Sequence, residues 1–148
     1  NIHKHVTNPG IRSKTKDGHE QYNYKLKTIG GDTEYHLELY TRQNLREGME
    51  DAFSCGLRWI APNGDSLTLK RYNGPNHNHP NKLENNEKLG YVCHIHTATE
   101  KYIKANLKVD GFAVKTTSYY TLKGALHSLV NDCNISGIPP EADHPKLF

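Results

Sequence analysis

The chain is poor in large apolar side chains. It holds one methionine, one tryptophan and three phenylalanines in 148 residues, and hydrophobic residues make up only 34%. Mean hydropathy is -0.82. No apolar run approaches the roughly 18–20 residues that a membrane-spanning helix needs. Cysteine is also scarce: Cys55, Cys93 and Cys133 are far apart, odd in number and form no CxxC. That argues against a disulfide framework or a cysteine zinc knuckle and fits small buried hydrophobes in a reducing compartment. Walker-type and dinucleotide-type glycine loops are missing, as is a Gly-x-Ser-x-Gly elbow. No secretory signal is visible. We therefore expect a cytoplasmic protein without a membrane segment.

What is present is tyrosine, charge and histidine. Tyrosine supplies nine of the thirteen aromatic residues, which suits a sheet with wet surfaces. The formal net charge is +3, too mild by itself to imply nucleic-acid binding. Over residues 99–123, Lys101, Lys104, Lys108, Lys115 and Lys123 face only Glu100 and Asp110. A partner rich in phosphate or carboxylate would be drawn there; a solvated lysine surface is the plainer reading.

The length suits one domain. Residues 1–20 show no hydrophobic period and include Lys14 and Lys16, so a flexible basic arm is expected. Residues 21–138 read as a single α+β domain, and 139–148 as a loosely held tail. Tyr22, Tyr24, Leu26 and Thr28 alternate with polar residues, as do Tyr35, Leu37 and Leu39. With Gly30-Gly31-Asp32 between them they predict a hairpin. Asn63-Gly64 predicts a second hairpin, 52–60 with 66–72. Leu67, Leu69 and Arg71 share one face by simple alternation, which places Arg71 in line with core residues near the rim. Residues 73–90 read as a long polar connection, functional or disordered. Tyr91–His96 is a fifth strand, and residues 102–109 are either extended or irregular. Leu122, Ala125, Leu126, Leu129, Val130 and Cys133 follow the 3.6 period of an amphipathic helix. Thr121 or Ser118 can cap its start, and Gly137 with Pro139-Pro140 ends it. The expected fold is α+β: a mainly antiparallel sheet of about five or six strands, with the C-terminal helix on one face.

The chemistry concentrates in two pairs, His77-Asn78-His79 and His94-Ile95-His96, separated by fourteen residues. In a strand, residues i and i+2 share a face about 6.6–6.8 Å apart, so His94 and His96 project together and outward if Cys93 and Ile95 face the core. Three readings fit. A histidine pair can act as general acid and base on a phosphodiester, with Arg71 holding phosphate; the 2′-hydroxyl of RNA makes such metal-free cleavage possible. The pairs can instead ligate a transition metal. Or they are polar residues without chemistry. His5-Val6-Thr7 resembles half of a two-histidine phosphoesterase signature, but no second His-x-Thr occurs. Tyr22, Tyr24 and Tyr40 can stack bases, although sheet packing explains them as well.

The run Arg71-Tyr72-Asn73-Gly74-Pro75-Asn76-His77, the later His94-Ile95-His96 and the closing helix before Cys133-Asn134-Ile135 resemble TumE-like toxins of bacterial toxin–antitoxin modules and related small uncharacterised proteins. The resemblance covers roughly residues 55–135. Asn76 between Pro75 and His77, and a longer segment between the motifs, depart from that pattern. It implies a small intracellular α+β protein neutralised by a separately encoded antitoxin; it does not fix a reaction. Together these points lead us to expect a toxin that acts on RNA without metal or cofactor. His94, His96, His77 and Arg71 are its catalytic candidates; Asn73, His79, Lys101 and Lys104 are candidates for substrate binding. The alternatives are a non-catalytic protein- or nucleic-acid-binding module and a histidine-ligated metal-dependent hydrolase.

Overall fold

Alternation sets the phase of the long strands, and the apolar halves of the central ones meet one amphipathic helix. A computed structural model describes residues 2–8, 10–13, 18–30 and 33–138. The turn residues Gly31 and Asp32, the basic residues Lys14 and Lys16, and the tail 139–148 lie outside the described residues. In chain order the elements are β1 (His3–Val6), β2 (Ile11–Arg12), β3 (His19–Ile29), β4 (His36–Asn44), β5 (Phe53–Ile60), β6 (Ser66–Asn73), β7 (Pro80–Asn81) and β8 (Glu87–Lys88). They continue with β9 (His94–Thr97), α1 (Glu100–Lys104), β10 (Phe112–Lys115), α2 (Leu122–Asp132) and β11 (Ile135–Ser136).

Among the described residues the main sheet has nine strands, not five or six. Its order is β10-β9-β6-β5-β4-β3-β1-β11, with β2 also paired to β3; β7 and β8 form a separate two-stranded sheet. All main-sheet pairs are antiparallel except β1 with β11, which is parallel. The additional strands are short ones that periodicity cannot reveal. Within the stretch expected to be a flexible arm, His3–Val6 pairs with β3 on one side and β11 on the other. The segment left open at 102–109 contributes instead to α1 and the turn that follows; Thr99 caps α1 by accepting from the Tyr102 amide.

The core lies on one face of the sheet. Tyr24 and Leu26 of β3, Leu37 and Leu39 of β4, Cys55 and Leu57 of β5, and Tyr72 of β6 are buried there. Helix α2 covers β4–β6 with Leu122, Ala125, Leu126 and Leu129. It starts at Thr121, whose side chain accepts from the Gly124 amide, and stops at Cys133. Each buried leucine contributes about 1.5–3 kcal/mol. A Cβ on Gly124 would stand 3.1 Å from Tyr119 Cβ. No helix among the described residues is long and apolar enough to cross a membrane.

Tyr119 joins this core to the strand ends beneath the histidines. It is only 3% exposed, and its hydroxyl donates to the Asn73 carbonyl at 2.9 Å and the His94 carbonyl at 3.1 Å. Those carbonyls also face each other in the β6–β9 ladder, so the one hydroxyl proton adds a shared bond that ties the core to the strand end. Tyr119→Phe is expected to lose about 0.5–1.5 kcal/mol of stability, measured by equilibrium urea unfolding; an unchanged midpoint would contradict this linkage.

Candidate functional site

The face opposite the helix is polar, and strand register lines its residues up in rows. Tyr40, Gly56, Arg71 and His96 stand opposite one another across β4, β5, β6 and β9. Arg42, Ser54, Asn73 and His94 form the next row. Gly56 leaves room for the Tyr40 ring; a Cβ there would lie 2.6 Å from Tyr40 Cε1 and 2.9 Å from the Lys70 carbonyl.

Arg71 reaches this face because β6 carries a bulge. Leu57 pairs with Lys70 but Arg58 pairs with Thr68, so Leu69 is an extra residue. One inserted residue reverses the facing of every side chain beyond it. The expectation that Arg71 shares a face with Leu67 and Leu69 is therefore incorrect. Leu69 packs against the core, while Arg71 points to the polar side beside His96.

The loop between β6 and β9 closes over the pair. Asn81 holds it by using its carboxamide as a strand would use a peptide group. Its Nδ2 donates to the Ala113 carbonyl and its Oδ1 accepts from the Ala113 amide, both at 2.9 Å. The loop is further tied by the Leu89 amide donating to the His79 carbonyl at 3.0 Å and by the Leu83 amide donating to Tyr102 Oη at 3.2 Å. His94 and His96 consequently do not face solvent as simple alternation suggested. They are 0% and 1% exposed, with Cys93 and Ile95 on the core side as expected.

The two pairs converge. Ring centroids are 4.8 Å apart for His77–His94, 5.0 Å for His94–His96 and 4.5 Å for His79–His96. Carbonyl oxygens cannot donate, so each one fixes the tautomer of its imidazole partner. His94 Nδ1 donates to the Val92 carbonyl at 2.9 Å, His96 Nδ1 to the Asp110 carbonyl at 2.8 Å, and His77 Nδ1 to Asn76 Oδ1 at 3.1 Å. Each then carries a lone pair on Nε2. His94 Nε2 and His96 Nε2 are buried without a hydrogen-bond partner. The three imidazoles offer ligand nitrogens within 4.8 Å of one another. His79 is different: its Nε2 donates to the Gly111 carbonyl at 2.7 Å, and its ring lies against His94 and His96 as a wall.

Asp110 is the residue that motif reading missed. It is 1% exposed, and its Oδ2 lies 3.1 Å from Arg71 Nε. Its carbonyl orients His96, so one residue places two members of the site. The contact is a close charge pair rather than an aligned hydrogen bond, and both terminal nitrogens of the guanidinium fork remain for another group. Sequence reading counted Asp110 only as a charge; no spacing signal marks it. Lys101 and Lys104 are not gathered here. They sit on α1, paired with Glu84 at 2.6 Å and Glu100 at 2.8 Å. A larger cleft of about 530 Å³, lined by Lys25, Lys27, His36 and Arg58, contains none of the clustered imidazoles.

Burial keeps the two strand imidazoles neutral. It lowers His94 to about 4, with His77, His79 and Arg71 adding repulsion and the Val92 carbonyl opposing. It lowers His96 to about 2, with Arg71 the next largest cause. His77 is lowered too, by burial first.

Comparison of the chain with family models, with curated proteins and with solved structures found no match. The site is therefore read from its own geometry.

The lowered values make stability depend on pH in a fixed direction. In the unfolded chain these histidines titrate near 6.5, so below that pH the unfolded state binds more protons. The stabilising contribution is complete above about 6.5 and is lost as pH falls toward about 4 for His94 and about 2 for His96. With chelator present, the melting temperature should fall between pH 6.5 and 4, and less steeply for His96→Gln. Identical slopes in the two proteins would overturn this assignment.

Proposed function

We propose that the chain is a divalent-metal-dependent hydrolase of phosphate esters, with His77, His94 and His96 as the metal ligands. The carrying observation is the shared tautomer in a clustered trio: three Nδ1–H groups are bound to oxygen acceptors, which leaves three Nε2 lone pairs for a ligand, and the three rings each offer a nitrogen to one small volume. Histidine ligands in metal sites are typically oriented through the other ring nitrogen in this way. Ligand nitrogens around a tetrahedral ion at about 2.0–2.1 Å stand about 3.4 Å apart, so closure from within 4.8 Å is a small adjustment. Three protein ligands leave a coordination position for water or substrate. Zinc suits imidazole donors. Bound there, the ion would supply Lewis acidity and an activated water.

The protein's own part is orientation and charge. Asp110 stands beside the Arg71 guanidinium, whose fork can hold two phosphate oxygens at once. The chemistry is hydrolysis: a water oxygen bonds to phosphorus, the ester P–O bond breaks, and the leaving oxygen takes a proton. Metal-free proton exchange by the same histidines is less well supported. It requires one imidazole to be protonated near neutral pH, and both strand histidines are held neutral. The resemblance to TumE-like toxins supplies a setting for this proposal, namely attack on RNA restrained by an antitoxin.

Elemental analysis after dialysis should find one zinc equivalent per chain, and none in His94→Ala or His96→Ala. Asn76→Ala should weaken metal affinity by about 10- to 100-fold, because it frees the His77 ring. Full hydrolytic activity in a metal-stripped preparation would sink the metal reading. In an inducible growth assay, His94→Ala should relieve inhibition by the wild-type chain; undiminished toxicity would reject the site as its cause.

A further inference from the structure

The polar face continues past the imidazoles into a second, smaller cleft of about 180 Å³, lined by His19, Arg42, Ala52, Phe53, Ser54, Asn73, Asn76 and His77. His77 belongs to both sites, so the cleft opens beside the proposed metal position. No carboxylate lines it. Its polar wall is a guanidinium, two imidazoles, two carboxamides and a hydroxyl, a composition rich in hydrogen-bond donors and suited to an anion. Arg42 has no carboxylate within ion-pair distance among the described residues. A single side-chain bond, from its Nη1 to Gln21 Oε1 at 3.2 Å, steadies it on this face. The cleft is smaller than the roughly 300–1,000 Å³ of an ordinary small-molecule site, so it takes one group of a larger ligand.

Two arginines therefore stand on one face with the imidazoles beside them. Arg71 and Arg42 are two strands apart and two register positions apart. At about 4.8 Å per strand and 3.4 Å per residue, that sets their Cα atoms about 12 Å apart. Both side chains are long enough to close much of that gap. Successive phosphates of one strand can occupy the two positions.

We infer that the substrate is a single-stranded nucleic acid, with the scissile phosphodiester at Arg71 and a neighbouring backbone phosphate held by Arg42 in the cleft. This rests on the hydrolase reading and adds the substrate class to it. Single-strand sites commonly combine a row of cations with an open face along which the backbone runs. The recognised chemistry is the phosphodiester backbone, which RNA and DNA share.

The test is the salt dependence of binding, which needs no turnover. The probe is fluorescein-labelled pentauridylate, with its deoxyuridine counterpart in parallel, on zinc-loaded wild type and Arg42→Gln. Each phosphate contact in a single strand contributes about 0.7 to the slope of log affinity against log salt. Arg42→Gln should make the slope shallower by about 0.7 and weaken binding at low salt. An unchanged slope, or no binding of either oligonucleotide by wild type, overturns the inference. A slope change with both oligonucleotides sustains it for either nucleic acid; a change with one alone identifies which. Zinc content is measured on the same samples. A preparation that shows the slope change but binds no zinc keeps the subsite and removes the metal centre, so the two readings fail separately.

Discussion

The site depends on one turn, Asp110-Gly111. A buried carboxylate is costly to desolvate unless a cation stands beside it, and Arg71 Nε lies 3.1 Å from Asp110 Oδ2. That constraint fixes Arg71. The two backbone carbonyls of the same turn fix His96 and His79. Gly111 permits the geometry, since a Cβ would stand 2.7 Å from the Tyr102 ring. Arg71, His96 and His79 come from β6, β9 and the intervening loop, yet all three are oriented by two consecutive residues. The loop is held over them by Asn81, which bonds to Ala113 two residues further along.

Much of the frame was legible. The two long hairpins and α2 follow from alternation, from Asn63-Gly64 and from the 3.6 period, because each presents one apolar half to a common core. The shared face of His94 and His96 was legible for the same reason. Four short strands were not. β1, β2, β10 and β11 are two to four residues long, too short for a period to register, and β1 is held by pairing with residues more than a hundred positions away. Residues held by long-range pairing carry no local mark.

The candidate site was legible as chemistry and not as geometry. His77 and His79 lay in a segment with no periodic signal, so only tertiary contacts place them. Arg71 was assigned to the wrong face because the count ran through a bulge. Lys101 and Lys104 drew attention by charge density; Glu100 stands four residues before Lys104 on the same helix, whereas Glu84, the partner of Lys101, is visible only in space. Asp110 lies fourteen residues beyond His96, where no motif connects the two.

The bulge at Leu69 also divides the sheet's labour. Before it, β6 has one assignment of odd and even positions to the two faces; after it, the assignment is exchanged. A single strand thus lends Leu69 and Tyr72 to the packed side and Arg71 and Asn73 to the reactive side within five residues. Changes on the helix side and on the imidazole side then fall on different side chains of the same strand. A sequence can drift on one face under pressure for packing while the other drifts under pressure for chemistry. The parity of a single inserted residue keeps the two histories separate.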